Sequence, residues 1–254
     1  DSAFSNLSVS VDAIDVDKEA TAKAIKSTIK LKGNFNVVNG DYLSWCESNK
    51  KQYDLIIGNP PYISKKSLSI KQREACKQIH LNNCFNADVH NIWTAFLADG
   101  ISRLKNDGVL AFVLPAEFLK VKFAEPIQRK IIEVFARVEV FTFTTNVFPN
   151  IEQDTIILFL YSHVEIAKRG LYFSSISSSK CLLDKKYKFK RKRSLEQSRL
   201  KWSSYPLLEK EIMYINKIRK GLSPLGEYCE STPGIVTAAN SYFIANKKTV
   251  MHYD

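Results

Sequence analysis

Asn59-Pro60-Pro61-Tyr62 is the part of the chain whose residue types and order point most directly to chemistry. A tetrapeptide of such uncommon residues arises by chance in roughly one chain in a thousand of this size. The two prolines fix the backbone and remove two N–H donors, which leaves the Pro60 carbonyl free beside the side-chain oxygen of Asn59. Two acceptors about one amino group apart can hold both hydrogens of an exocyclic NH2. Such bonds draw the amine lone pair out of conjugation and aim it at an electrophile, combining positioning with electrostatic support. Tyr62 adds a flat face against which a planar ring can lie.

Two acids sit in comparable places. Asp15 closes the strand-like run at residues 7–14, and Asp41 follows Asn39-Gly40 after a second run at residues 35–38. An acid at such a strand end can accept hydrogen bonds from the two hydroxyls of a ribose, the role open to Asp15. Asp15 or Asp17 can equally cap the following helix. Asp41 can take a hydrogen bond from an adenine amino group, with Tyr42 and Leu43 beside that ring, or it can be an ordinary turn aspartate.

The elements that must carry these residues alternate. Strands are expected at residues 7–14, 35–38, 53–57, 109–114, 138–143 and 155–161. Helices are expected at 18–31, 70–81, 91–104, 124–135 and 205–220, with Asn106-Asp107-Gly108 ending the third. Ile92, Ala95, Phe96, Ile101 and Leu104 give that third helix a broad apolar face. The serine-rich patch at 174–179 reads as a loop. Strands alternating with helices predict an open, mostly parallel α/β sheet, in which ligands collect beyond the carboxyl ends of the strands. Asp15, Asp41 and Asn59 all stand at such ends.

The net charge of +11 is local: residues 165–220 hold 16 Lys/Arg against 5 Asp/Glu, and the remainder balances at 21 against 21. Within that tract Lys185-Lys186-Tyr187-Lys188-Phe189-Lys190-Arg191-Lys192-Arg193 interleaves aromatics with cations. The pattern suits a surface for a polyanion, and equally a solvated edge strand whose lysines deter aggregation. The longest apolar stretch, residues 156–161, is far short of the roughly 20 residues of a membrane helix, so a cytoplasmic protein is expected. Five cysteines without a C-x-x-C pair indicate reduced thiols. Cys76, His80 and Cys84 share a helical spacing, with His90 nearby, but a buried helix face accounts for them and no metal is expected. No phosphate-binding loop of the G-x-x-x-x-G-K type and no nuclease carboxylate pattern is present.

Taken in order, these motifs resemble those of the N6-adenine-specific DNA methyltransferases, in the arrangement where the catalytic domain precedes the target-recognition domain. Type II restriction–modification methylases and fused restriction–methylation enzymes share that arrangement. The resemblance covers nearly all of residues 7–161. Ala13-Ile14-Asp15-Val16-Asp17 is similar to the family's ribose-binding strand end, Asn39-Gly40-Asp41-Tyr42-Leu43 to its adenine-binding segment, and Gly58-Asn59-Pro60-Pro61-Tyr62 to its catalytic motif. Residues 92–119 resemble the helix and strand that follow that motif, and Asn146-Val147-Phe148-Pro149 the loop whose aromatic packs on the flipped base. The segment at 234–243 is similar to the start of the recognition domain.

The resemblance implies a Rossmann-like fold and S-adenosyl-L-methionine as cofactor, held by Asp15, Val16, Asp41, Tyr42, Asn59 and Pro61. It implies double-stranded DNA as partner, with an adenine flipped out of the duplex because its amino group is shielded there. Asn59 and Pro60 orient the amine, Tyr62 and Phe148 sandwich the ring, and Lys188, Lys190, Arg191, Lys192 and Arg193 face DNA. The expected organisation is a catalytic domain over residues 1–163 and a basic linker opening a recognition domain over 164–254. The family's glycine-rich turn and the strand before it are not found, so a fragment is expected, with any endonuclease outside these residues. Ribosomal-RNA guanine and protein-glutamine methyltransferases use related N-P-P-Tyr or N-P-P-Phe motifs and remain rivals, as does a catalytically idle DNA-recognition subunit.

Overall fold

The computed structural model describes residues 8–85, 88–144, 154–193, 196 and 201–230. In chain order these form β1 (Ser10–Asp15), α1 (Lys18–Thr28), β2 (Asn34–Asn39), α2 (Tyr42–Ser48), β3 (Tyr53–Gly58), α3 (Ile70–Asn82), α4 (Trp93–Ser102) and β4 (Leu104–Pro115). There follow α5 (Glu125–Val134), β5 (Arg137–Phe143), β6 (Thr155–Tyr161), β7 (Gly170–Ile176), α6 (Lys180–Leu183), β8 (Lys190–Arg191) and α7 (Glu209–Arg219). Two compact units divide at residue 209; the described part of the second carries most of α7 and a single turn at Leu225–Glu227.

Strands β1 and β2 pair in parallel, while the main sheet has six strands in the order β3-β4-β6-β5-β7-β8. The pairs β3/β4 and β5/β7 are parallel, and β6 runs antiparallel to both β4 and β5. No backbone pairing joins β1 to β3 among the described residues. Side chains join them instead: Asp12 on β1 accepts from the Tyr53 hydroxyl at 3.0 Å and the Lys51 ammonium at 3.1 Å. Leu55 and Ile57 of β3 are 55% and 73% exposed, so the face they share is uncovered, while Ile56 on the other face packs into the core.

That core lies where β4, β5 and β6 meet α4 and α5. Trp93, Leu97, Leu110, Leu114, Ile131, Val140, Ile156 and Leu158 are all fully buried there. Alternation explains β4, whose Leu110, Phe112 and Leu114 point inward, and the adjoining β6 is apolar nearly throughout. A second cluster, around Leu43, Cys46, Leu68, Cys76 and Ile79, packs α2 and α3 against α4.

Two local expectations change, and one short helix is added. Residues 106–108 do not end a helix: α4 stops at Ser102, β4 starts at Leu104 opposite Tyr53, and an irregular stretch intervenes before Leu55 meets Val109. Ser174 and Ser175 belong to β7 rather than to a loop, because β5 supplies backbone partners from Arg137 to Phe143. Helix α2, only seven residues long, begins at its Asp41 cap. The sheet also continues past residue 163, since β7 and β8 extend it to Arg191.

Beneath α2 lies a buried ion pair. Arg103 donates through Nε to Asp99 Oδ2 at 2.5 Å, through Nη1 to the Asn49 carbonyl at 2.5 Å and through Nη2 to the Cys46 carbonyl at 2.8 Å. The Tyr42 hydroxyl donates to the same Asp99 oxygen at 2.5 Å, and burial next to Asp99 holds that phenol protonated far above its usual range. The Arg103 carbonyl in turn accepts from Tyr53 N at the start of β3. Asp99→Ala, which strands a buried guanidinium, should cost about 3–5 kcal/mol in urea denaturation, and Asp99→Leu with Arg103→Met should cost less.

The Asp12 carboxyl is held below the usual carboxylate range, chiefly by the hydrogen bond from Asn36 Nδ2 at 2.8 Å, with Lys51 and Tyr53 adding to it against desolvation. A folded-state pKa below the unfolded one gives stability that is complete above about pH 4 and lost as pH falls through the folded value. The stability difference between wild type and Asp12→Asn should therefore be present at pH 7 and shrink in acid. A difference constant with pH would show that this carboxyl does not contribute.

Candidate active site

Strand β3 delivers Asn59, and the packing behind it fixes where. The ring of Phe112 on β4 lies in a slot between Gly58 of β3 and Gly100 of α4. A Cβ on Gly58 would come within 2.9 Å of Phe112 Cε1, and one on Gly100 within 3.0 Å of Leu110 Cδ1 and 3.3 Å of Phe112 Cζ. The residue before the motif is therefore small because a buried ring occupies the space a side chain would need. Asn59 is exposed, Pro60 buried, Pro61 exposed and Tyr62 half-buried against the main core.

The Tyr62 hydroxyl donates to Asn59 Oδ1 at 3.2 Å. Burial pushes the Tyr62 phenol up to about 12, so it remains a donor across the physiological range. An amide oxygen has two lone pairs, so the bond orients Asn59 and leaves one acceptor position open. No hydrogen-bond donor reaches the Pro60 carbonyl among the described residues. The loop after the motif is pinned: Ile92 N donates to the Ile63 carbonyl, Lys65 N donates to the His90 carbonyl, and Lys65 pairs with Asp88 at 2.7 Å. Next to that segment Glu117, just past β4, accepts from Trp93 Nε1 at 3.1 Å and from Asn91 Nδ2 at 3.5 Å.

The two acids resolve differently. Asp17 is the α1 cap, accepting from Glu19 N and Ala20 N, whereas Asp15 remains exposed at the end of β1. Asp15 Oδ1 accepts from Asp17 N at 2.9 Å, and its Oδ2 has no partner among the described residues. Val16 beside it is 69% exposed. Asp41 caps α2, accepting from Leu43 N at 3.2 Å and from Ser44 Oγ at 3.1 Å, so both oxygens already hold one bond. Tyr42 stacks on Phe96 with centroids 4.5 Å apart, and Leu43 is buried in the second core cluster. Phe148 and the segment at 234–243 lie outside the described residues.

The basic tract splits by burial. Lys188, Lys190 and Arg193 are exposed, while Arg191 is half-buried with its guanidinium 5.9 Å from the Tyr172 ring centroid. Lys192, expected to face DNA, is instead 1% exposed and donates through Nζ to the Leu207 carbonyl. The run of like charges conceals this inward residue, which follows the two residues of β8 and is held by the Leu207 carbonyl. His80, from the discounted cysteine–histidine group, is buried with Nε2 3.0 Å from Thr94 Oγ1. No cluster of three or more metal-binding side chains occurs among the described residues, and no helix there is long and apolar enough to cross a membrane.

A mainly parallel sheet with exposed polar residues at its strand ends is the fold of the S-adenosylmethionine-dependent methyltransferases. A solved structure described as a class I enzyme of that type, from Listeria monocytogenes, superposes with a TM-score of 0.52 at 17% identity, covering 68% of this chain and 51% of that one. Residues 3–148 match the family described as Eco57I restriction-modification methylase, and residues 199–254 match the C-terminal domain of the type II methyltransferase M.Eco57I. The chain belongs to the Eco57I restriction-modification methylase family.

Among curated relatives, the type II methyltransferase M.AccI of Acinetobacter calcoaceticus is 27% identical over 94% of this chain and 44% of its own length. The release factor glutamine methyltransferase of Bacillus subtilis is 39% identical over 26% of the chain and 23% of its own. The chain thus spans less than half the length of these relatives.

Gly58→Ala should displace the Phe112 ring and the start of the motif together, destabilising by about 1–3 kcal/mol as overpacked cores do. Asn59→Ala, at an exposed site, should change stability by less than about 0.5 kcal/mol. Thermal denaturation of the two variants side by side checks both values.

Proposed function

We propose that this chain is the catalytic part of a site-specific DNA methyltransferase of a restriction–modification system, acting on the exocyclic N6 of an adenine flipped from duplex DNA. The observation that carries the reading is the pair of acceptors at the end of β3: Asn59 Oδ1, held by the Tyr62 hydroxyl, and the unengaged Pro60 carbonyl. Each accepts one hydrogen of the amine, which turns the nitrogen lone pair away from the ring and toward the methyl donor. Tyr62 offers a ring face for stacking and Phe148 the opposite one, offsetting part of the cost of unstacking the base.

The residues at the strand ends fit S-adenosyl-L-methionine by the chemistry of their donor set. Asp15 presents a carboxylate with one oxygen unengaged, suited to a ribose diol. Val16 is an exposed apolar neighbour, Asp41 a second carboxylate and Tyr42 a half-buried ring beside it, while Asn59 and Pro61 stand at the adjoining strand end. When bound, the cofactor supplies an electrophilic methyl group. The chain's task would be to hold the amine nitrogen in line with that methyl and to leave the amine proton a path to solvent. Lys188, Lys190 and Arg193 supply positive charge toward the DNA, and any endonuclease lies in a fused segment or a partner.

A second reading, methylation of a glutamine amide in a protein, draws on the local likeness to the release factor enzyme. The basic tract is unneeded for that substrate. Full-length protein with labelled S-adenosyl-L-methionine should label duplex DNA and yield N6-methyladenine on nucleoside analysis, with Asn59→Ala lowering the rate by about 100-fold or more. Labelling of a release factor or of RNA instead of DNA would replace this reading. Failure of the full-length protein to bind the cofactor in a calorimetric titration would favour an idle recognition subunit.

A further inference from the structure

At the outer edge of the main sheet lies a cavity of about 730 Å³, lined by Lys185, Lys186, Lys188 and Lys190 with Tyr187 and Tyr205. No Asp or Glu is among its described lining residues, and only Lys186 has an acidic partner there, Asp184 at 3.3 Å. Four ammonium groups around one hollow repel one another, and an anion placed among them relieves that repulsion. The hollow forms because β8 is short. It pairs with β7 only at Tyr172 and Phe173, so from Ser174 onward β7 has no outer neighbour among the described residues. Ser174 lines the cavity, is 3% exposed, and its Oγ has no hydrogen-bond partner. Its register partner Phe141 carries the Tyr187 ring at 4.9 Å, which places Ser174 on the sheet face that Tyr187 covers.

Strand register relates this cavity to the motif. Gly58 pairs with Phe112, Phe112 with Leu158, Leu158 with Val140, Val140 with Phe173, and Phe173 with Lys190, so one row crosses the whole sheet. The strands β3, β4, β5 and β7 all run in the same direction, so the carboxyl end of β7 and the carboxyl end of β3 form one edge. Four strand spacings separate them, about 19 Å. Along a duplex axis that corresponds to about six base pairs at about 3.4 Å each.

We propose that this lysine-lined cavity grips the DNA sugar-phosphate backbone about six base pairs from the adenine presented to Asn59. The proposal rests on the reading of the chain as a DNA methyltransferase. Lys185, Lys188 and Lys190 neutralise the phosphates, Ser174 offers a hydroxyl donor at the cavity wall, and the Tyr187 and Tyr205 rings pack along the sugars. Contacts of this kind set the register of the protein on the duplex without reading its sequence.

The test uses the full-length protein and a mixed-sequence duplex, with binding followed by fluorescence anisotropy over a range of salt. In the triple variant Lys185→Gln, Lys188→Gln, Lys190→Gln the slope of log K against log salt should flatten by about 2.7, at about 0.9 for each phosphate no longer neutralised. The triple Lys→Arg variant should keep the wild-type slope. A Gln variant with an unchanged slope overturns the cavity proposal while leaving the methyltransferase reading intact. Wild type that binds no duplex at all overturns the reading beneath it. For position, an iron chelate attached to Lys188→Cys should cut the backbone about six base pairs from the methylated adenine, and cuts more than one helical turn away would overturn the assignment.

Discussion

The parallel pairing of β3 with β4 is the constraint on which the rest depends. β3 has one strand neighbour among the described residues, so its register comes from β4, and the Asn59 position follows from the Gly58–Phe112 pairing. At its other end β3 is hung from Arg103 through Tyr53 N, and Arg103 is itself held by Asp99 and two carbonyls of the α2 region. Buried guanidinium groups are costly unless every donor is engaged. The elements meeting at Arg103 are thereby obliged to adopt one arrangement, and the motif inherits it.

Much of this is legible in the sequence, for a physical reason. The 109–114 part of β4 and nearly all of β6 are continuous apolar runs, and helices such as α5 carry an amphipathic period; both signals survive in a single chain. The motif is legible because Asn-Pro-Pro-Tyr in that order is far rarer than the single turn residues that folding alone places at a strand end. Helix α2 is not, since seven residues give too little period, although Asp41 with Ser44 three residues on is a capping signal that could announce it. The Asp99–Arg103 pair is also open to notice, four residues apart across α4 and its end, but only burial distinguishes it from an ordinary surface pair. The end of β7 reads as a loop because Ser174 and Ser175 borrow their strand character from β5, a nonlocal partner that composition does not reveal. Lys192 reads as DNA-facing because a charge run carries no information about which side chains turn inward.

The site divides its labour between rigid and accessible parts. Pro60 and the Phe112 slot are buried, and they fix the backbone. Asn59, Asp15 and Val16 are exposed, and they are the groups a ligand can reach. The loop after the motif is stapled to the start of α4 by backbone bonds and by the Lys65–Asp88 pair, so its conformation does not wait for a substrate. Preorganisation of this kind is what a pair of hydrogen-bond acceptors requires, since their contribution depends on holding position while charge shifts. The Asp41 carboxylate shows how one residue can be structural first, with each oxygen already committed inside α2.

One consequence concerns cooperativity. The β1–β2 pair is joined to the larger sheet by the side chain of Asp12 rather than by a backbone ladder. Elements connected in this way can open as a local unit at a free energy below that of global unfolding. In amide hydrogen exchange, β1 and β2 should therefore exchange faster than β4, β5 and β6. Asp15 and Asn59 then belong to different opening units, and protection would pass between them only when something spans both strand ends at once.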